Sequence, residues 1–101
     1  MWFFVYEAYP KPSSPEYGQV DGAFASCWID ERIESIADAL ARAVIEEQGW
    51  DVQERDQSYE VAEGNYEEGS DSIELFRQAV LDGCVMTFHS WPIGGDTDKA
   101  P

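Results

Sequence analysis

The sequence predicts an α+β fold from three observations: strand-like aromatic and β-branched runs at both ends, two amphipathic helical segments between them, and a repeated helix–glycine–strand step. The step is seen where Ala43-Val44-Ile45 leads to Gly49-Trp50, and again where Ala79-Val80-Leu81 leads to Gly83-Cys84. At 101 residues the chain has the size of one domain, expected over residues 1–93, with 94–101 as a flexible C-terminal tail.

Trp2 to Tyr9 reads as the first strand. It lacks a basic leader, is interrupted by Glu7, and is too short to span a bilayer. Pro10, Pro12 and Pro15 with Ser13, Ser14 and Gly18 form a loop that cannot continue a ladder, and Gln19 to Ile29 is the second strand. Asp30 is the expected N-cap of a helix over Glu31 to Gln48. Its apolar Ile33, Ile36, Ala37, Leu40 and Val44 fall on one stripe. Gly49 stops that helix.

Trp50 to Gln57 is a strand with Trp50 and Val52 on one face, and Ser58 to Ala62 reads as the return limb of a hairpin. After a polar loop, Asp71 and Glu74 have the spacing of a capping box for a second helix, which carries Ile73, Phe76 and Val80 inward and stops at Gly83. Cys84 to Trp91 is the last strand, ended by Pro92. In this order the elements predict a ferredoxin-like (βαββαβ) antiparallel sheet with an added N-terminal strand and two helices on one face. If Trp50 to Ala62 is one long bent strand, the order becomes ββαβαβ.

The strands are apolar on both faces. A sheet with one solvated face should alternate apolar and polar residues, so the face carrying Phe24, Trp28, His89 and Trp91 is expected to be covered by something beyond two helices on one side. A second copy, a partner protein, a flat ligand, or the chain's own proline loop and tail would serve.

Chemistry-bearing residues are scarce. The chain has one histidine, His89, and two cysteines, Cys27 and Cys84, inside apolar runs where free Cys packs as a small hydrophobe. Cys84 and His89 are an odd interval apart, on opposite faces of a regular strand. No paired-ligand spacing, calcium loop, phosphate loop or nucleophile elbow is present, so neither a cofactor, a metal nor a catalytic group is expected, and the protein reads as non-enzymatic. Reduced core thiols and the lack of a basic leader point to the cytoplasm.

Charge is the strongest functional signal. The chain carries 21 acidic and 6 basic side chains, a net charge of −15, which excludes direct binding to nucleic acid or to an anionic membrane through a basic patch. The charge is uneven: residues 46–74 hold eleven acids and one arginine, a net −10. Within that block Glu46, Glu47, Asp51, Glu54, Asp56, Glu60, Glu63, Glu67 and Glu68 are the expected contacts to a basic protein. Glu54 and Asp56, two apart in a strand, would present carboxylates in a regular row about 7 Å apart, like nucleic-acid phosphates.

In size and charge the chain resembles small acidic α+β inhibitors that mimic nucleic acid, a resemblance of composition without a shared motif. The expected function is therefore an acidic binding protein, an inhibitor or nucleic-acid mimic, that docks a basic and nucleic-acid-binding partner. The alternative is a ferredoxin-like homodimer using its aromatic sheet face, Phe24, Trp28, His89 and Trp91, for assembly or small-ligand binding.

Overall fold

The computed structural model describes residues 1–93, and the expected tail at 94–101 lies outside the described residues. The elements are β1 (Trp2–Pro10), β2 (Val20–Ile29), α1 (Glu34–Glu47), β3 (Trp50–Glu60), a 3-10 turn (Glu63–Asn65), α2 (Asp71–Asp82) and β4 (Cys84–Pro92). The four strands form one antiparallel sheet in the order β3-β1-β2-β4.

The observed order is thus ββαβαβ, and the hairpin expected within residues 50–62 is instead one strand. The register along β1 slips between Val5 and Tyr6 and again between Glu7 and Ala8. These bulges bend β3 so that it can follow β1 along its whole length without turning back.

The helices pack on opposite faces, not together on one. Ala37, Ala41 and Ile45 of α1 bury against Phe4, Tyr6, Ala8, Ala23, Ala25, Cys27, Ile29 and Trp50. Phe76 and Ala79 of α2 join a separate cluster with Trp28, Phe3, Val61, Tyr66 and Val85. Residues alternate between these clusters along β1 and β2, which explains why the strands are apolar on both sides.

Small side chains set the packing of the α1 face. Ala8, Ala23 and Ala25 are fully buried there, and over them Trp50 of one edge strand reaches Phe88 of the other, with stacked rings 5.5 Å apart. Alanines likewise form the contact surface of α1, letting the helix sit close to the sheet. The stripe expected inward from the sequence divides accordingly. Ala37 is buried, whereas Ile33, Ile36 and Leu40 are 55%, 44% and 47% exposed.

The helix ends also differ in detail from expectation. Helix α1 begins at Glu34 after Ile33, with no side-chain cap from Asp30. The cap of α2 is Ser70, whose Oγ accepts the Ile73 N–H at 3.2 Å, one residue before the expected Asp71. Gly49 and Gly83 end their helices at φ +98° and +91°, a left-handed conformation that few other residues adopt without strain. The Gly49 carbonyl accepts the Lys11 N–H at 2.9 Å, tying the proline loop to the end of α1.

Candidate functional site

Because α2 covers only part of its face, the sheet carries an open region beside it. Register places Tyr9, Glu7 and Val5 of β1 on this face, with Gly22, Phe24 and Ser26 of β2, Trp91, His89 and Thr87 of β4, and Asp51 and Glu54 of β3. Phe24 and Tyr9 are each 39% exposed, and the Phe24 and Trp91 rings meet at 5.1 Å.

Gly22 makes this surface. A Cβ at that position would stand 2.6 Å from Trp91 Cζ2 and 2.8 Å from Tyr9 Cδ1, so the two rings close over bare backbone. The aromatic ridge Tyr9–Trp91–Phe24 is therefore a consequence of one missing side chain in mid-strand.

Carboxylates border the ridge. Glu7 stands directly opposite Glu54 across the β1–β3 ladder, and Asp51 opposite Tyr9. Like charges in directly opposed positions are destabilising. The Tyr9 hydroxyl donates to Glu7 Oε2 at 2.7 Å. That bond raises the Tyr9 pKa above its ordinary value, with smaller contributions from slight burial and the charges of Glu7, Asp21 and Glu54. A cleft of about 310 Å³ opens at the end of the ridge, lined by Tyr9, Tyr17, Asp21 and Ile93 among others. Ring faces beside carboxylates are the surroundings that stabilise an ammonium or guanidinium group.

The arginine ion pairs lie elsewhere. Arg42 and Arg55 converge on Asp38, at 3.0 and 3.4 Å, with Arg55 also 3.0 Å from Glu34. Arg77 binds Glu63 and Glu68, both at 2.6 Å. Two residues of the expected acidic contact set are thus already held by an arginine of α2.

The other residues of that set are exposed but do not form one surface. Glu46 and Glu47 sit at the end of α1, Asp51, Glu54, Asp56 and Glu60 along the β3 edge, and Glu67 in the loop before α2. The regular row expected from Glu54 and Asp56 is not formed. Glu54 faces Glu7 and Arg55 faces Tyr6, while Asp56 has no partner position on β1 because it is the extra residue of a bulge.

The expected aromatic set also divides. Phe24, His89 and Trp91 lie on the open region, but Trp28 is only 5% exposed beneath α2. Its indole N–H donates to the Tyr66 hydroxyl at 3.0 Å and its ring lies 4.8 Å from Phe3. Tyr9, Glu7 and the underlying Gly22 were not singled out in the sequence. A glycine within a strand was the available sign.

Cys27 and Cys84 are diagonal neighbours on the α1 face, Cys84 pairing with Ile29 and Cys27 with Met86; both are free thiols. Burial pushes the Cys27 pKa up to about 12 and also raises that of Cys84, which keeps both thiols protonated and weakly nucleophilic. His89 faces the other side of the sheet, away from both. Among the described residues no three His, Cys, Asp or Glu side chains converge as a metal-ligating group, and no helix is long and apolar enough to cross a membrane.

Comparisons of the chain with protein-family models, with curated proteins and with solved structures find no match.

Proposed function

We propose that this chain is a non-enzymatic binding protein that receives a basic protein segment on the open sheet region, seating Lys or Arg side chains between the Tyr9–Trp91–Phe24 ridge and the carboxylates of Glu7, Asp51 and Glu54. The observation that carries this reading is the opposed Glu7–Glu54 pair beside exposed aromatic rings. The pair costs stability in the free protein, and an incoming cation would relieve that cost. The remaining exposed acids speed the approach of a basic partner through their long-range field.

A basic protein surface is favoured over the narrower reading of an inhibitor that mimics nucleic acid, because mimicry needs evenly spaced carboxylates and the β3 bulges interrupt that spacing. The fold that presents the site keeps one feature of the ferredoxin-like plan. In β2–α1–β3, two parallel strands are joined across an intervening β1. Self-association through the aromatic face is disfavoured, since two copies meeting there would bring Glu7 and Glu54 toward their counterparts.

The test is titration with a short arginine-rich peptide at several salt concentrations, read by tryptophan fluorescence. Glu7→Gln/Glu54→Gln is compared with Glu46→Gln/Glu47→Gln, which removes the same charge elsewhere. The site variant should bind about tenfold more weakly and melt higher, while the control binds nearly as the parent does. Equal weakening by both pairs would mean attraction by net charge alone and would refute the site.

A further inference from the structure

The outer strands of the sheet, β3 and β4, are built differently. An outer strand leaves a row of main-chain donors and acceptors open to any extended chain, and proteins blunt such edges with bulges, prolines and charge. Strand β3 has bulges and four carboxylates. From Cys84 to Trp91, β4 has none of these protections. That run carries no Asp, Glu, Lys or Arg and no proline before Pro92, and its register against β2 is unbroken from Ile29–Cys84 to Ala23–Ser90.

In an antiparallel ladder, alternate residues turn their N–H and C=O toward the neighbouring strand and away from it, so every second residue of β4 presents both groups outward. Among the described residues no strand pairs with them. On the α1 side a cleft of about 410 Å³ runs beside Cys84, Met86 and Phe88. On the other side α2 meets the strand at Val85, while His89 is exposed and Trp91 half-buried. The half of β4 beyond Val85 therefore has room for an added strand.

We infer that β4 is a docking edge for an extended segment of a partner protein, added as a fifth strand, in which Lys or Arg alternates with apolar residues. Directly opposed residues of paired strands stand about 4.5–5.5 Å apart. One alternate set of the segment lies beside Thr87, His89 and Trp91, where the indole ring and the chain's net charge of −15 favour cations. The other set lies beside Cys84, Met86 and Phe88, which are uncharged and packed against the α1 core, so apolar side chains are favoured there.

Charge opposes a second copy at this edge. Antiparallel pairing of two β4 strands about a two-fold axis keeps each sheet face continuous and sets both α2 helices on one face. Each helix carries Asp71, Glu74 and Asp82, and its one base, Arg77, is already held by Glu63 and Glu68. Residues 94–101 hold two glycines, two aspartates and a proline, a composition that strands avoid. The inference does not rest on the proposed basic-segment site, since its contacts are main-chain bonds of β4 and not the carboxylates of Glu7 and Glu54.

The test uses a peptide of alternating lysine and valine, matched to the nine residues of β4, and the full chain labelled with nitrogen-15. In the free protein the outward amides of β4 should exchange with solvent faster than the inward ones, and the peptide should slow them at least about tenfold. Methylating one alternate set of the peptide's amide nitrogens should weaken binding at least about tenfold, and methylating the other set by no more than about twofold. Glu7→Gln/Glu54→Gln should bind the peptide within about twofold of the parent. Outward β4 amides already slow in the free chain would mean that a second copy or residues 94–101 fill the edge, and would overturn the inference. Equal binding of the two methylated peptides, or no binding up to on the order of 1 mM, would overturn it too. The arginine-peptide titration reads Glu7 and Glu54 and not the β4 amides, so either reading can fail alone.

Discussion

Replacing Asp38 or Tyr6 tests how α1 is held to the sheet. Tyr6 is fully buried in mid-sheet, and its hydroxyl donates to Asp38 Oδ1 at 2.6 Å. Arg42 Nε donates to both oxygens of Asp38 at 3.1 and 3.0 Å, and Arg55 Nη1 to Oδ1 at 3.4 Å. A hydrogen bond to a charged acceptor is worth about 1.5–3 kcal/mol, while the arginine contacts, with side chains 43% and 29% exposed, add about 0–1 kcal/mol each.

Tyr6→Phe should therefore cost about 1.5 kcal/mol, because Asp38 keeps its arginines and access to water. Asp38→Ala should cost about 2–3 kcal/mol, because it leaves a buried phenol with no acceptor. The double variant should be scarcely worse than Asp38→Ala, giving a coupling energy of about 1.5 kcal/mol. Urea unfolding followed by far-ultraviolet circular dichroism measures all four proteins, and the Asp38→Ala midpoint temperature should fall by about 10–20 °C. Losses that add to within about 0.5 kcal/mol would refute the reasoning, because they would mean that the phenol does not depend on Asp38 for its partner.

The same pair sets two pH limits. Burial raises the Tyr6 pKa well above the ordinary 10.0, reinforced by the hydrogen bond to Asp38 and its charge. The stability this contributes is whole below pH 10.0 and lost as pH rises beyond it; Tyr6→Phe should resist alkaline unfolding better relative to its own neutral stability. For Asp38, partial burial opposes ionisation, but the bonds from Tyr6 and Arg42 and the charges of Arg42 and Arg55 outweigh it and hold its pKa below 3.8. Its contribution is present above pH 3.8 and lost as pH falls through the lower folded value, so acid titration of Asp38→Asn should lack that component. For the thiols, a disulfide reagent at neutral pH should label Cys84 slowly and Cys27 only at the rate of unfolding; prompt labelling of Cys27 would contradict its burial.

Much of the secondary structure was legible because the deciding interactions are local. Gly49 and Gly83 mark the helix ends in the sequence by the same conformational freedom they use in the fold. The two-sided apolarity of β1 and β2 was legible too, although its cause, one helix on each face, was not. Helix placement depends on how long connections cross the sheet, which periodicity does not encode. The inward face of α1 was misread for a related reason. Ile33, Ile36, Ala37, Leu40, Ala41, Val44 and Ile45 make a band wider than one contact, and the sheet takes the alanine-rich flank that permits the closest approach.

For the candidate site, the density of acid was legible and its arrangement was not. The β3 bulges and the β1–β3 register separate Glu54 from Asp56 and bring Glu54 against Glu7, a residue 47 positions away. Trp28 could not be separated from Phe24 by alternation, since both point to the same side; only the position of α2 over one end of that side buries the first and leaves the second half open.

The two margins of the sheet are unlike. The β3 margin is bulged twice and carries Asp51, Glu54, Asp56 and Glu60, whereas the β4 margin, Cys84 to Pro92, carries no Asp, Glu, Lys or Arg. End-to-end growth of a ribbon needs every added molecule to offer one receptive margin to the last and another to the next. Among the described residues a molecule has only one to offer. Strand addition therefore ends after a single step, and concentrated solutions of this chain should not lengthen into fibres by that route.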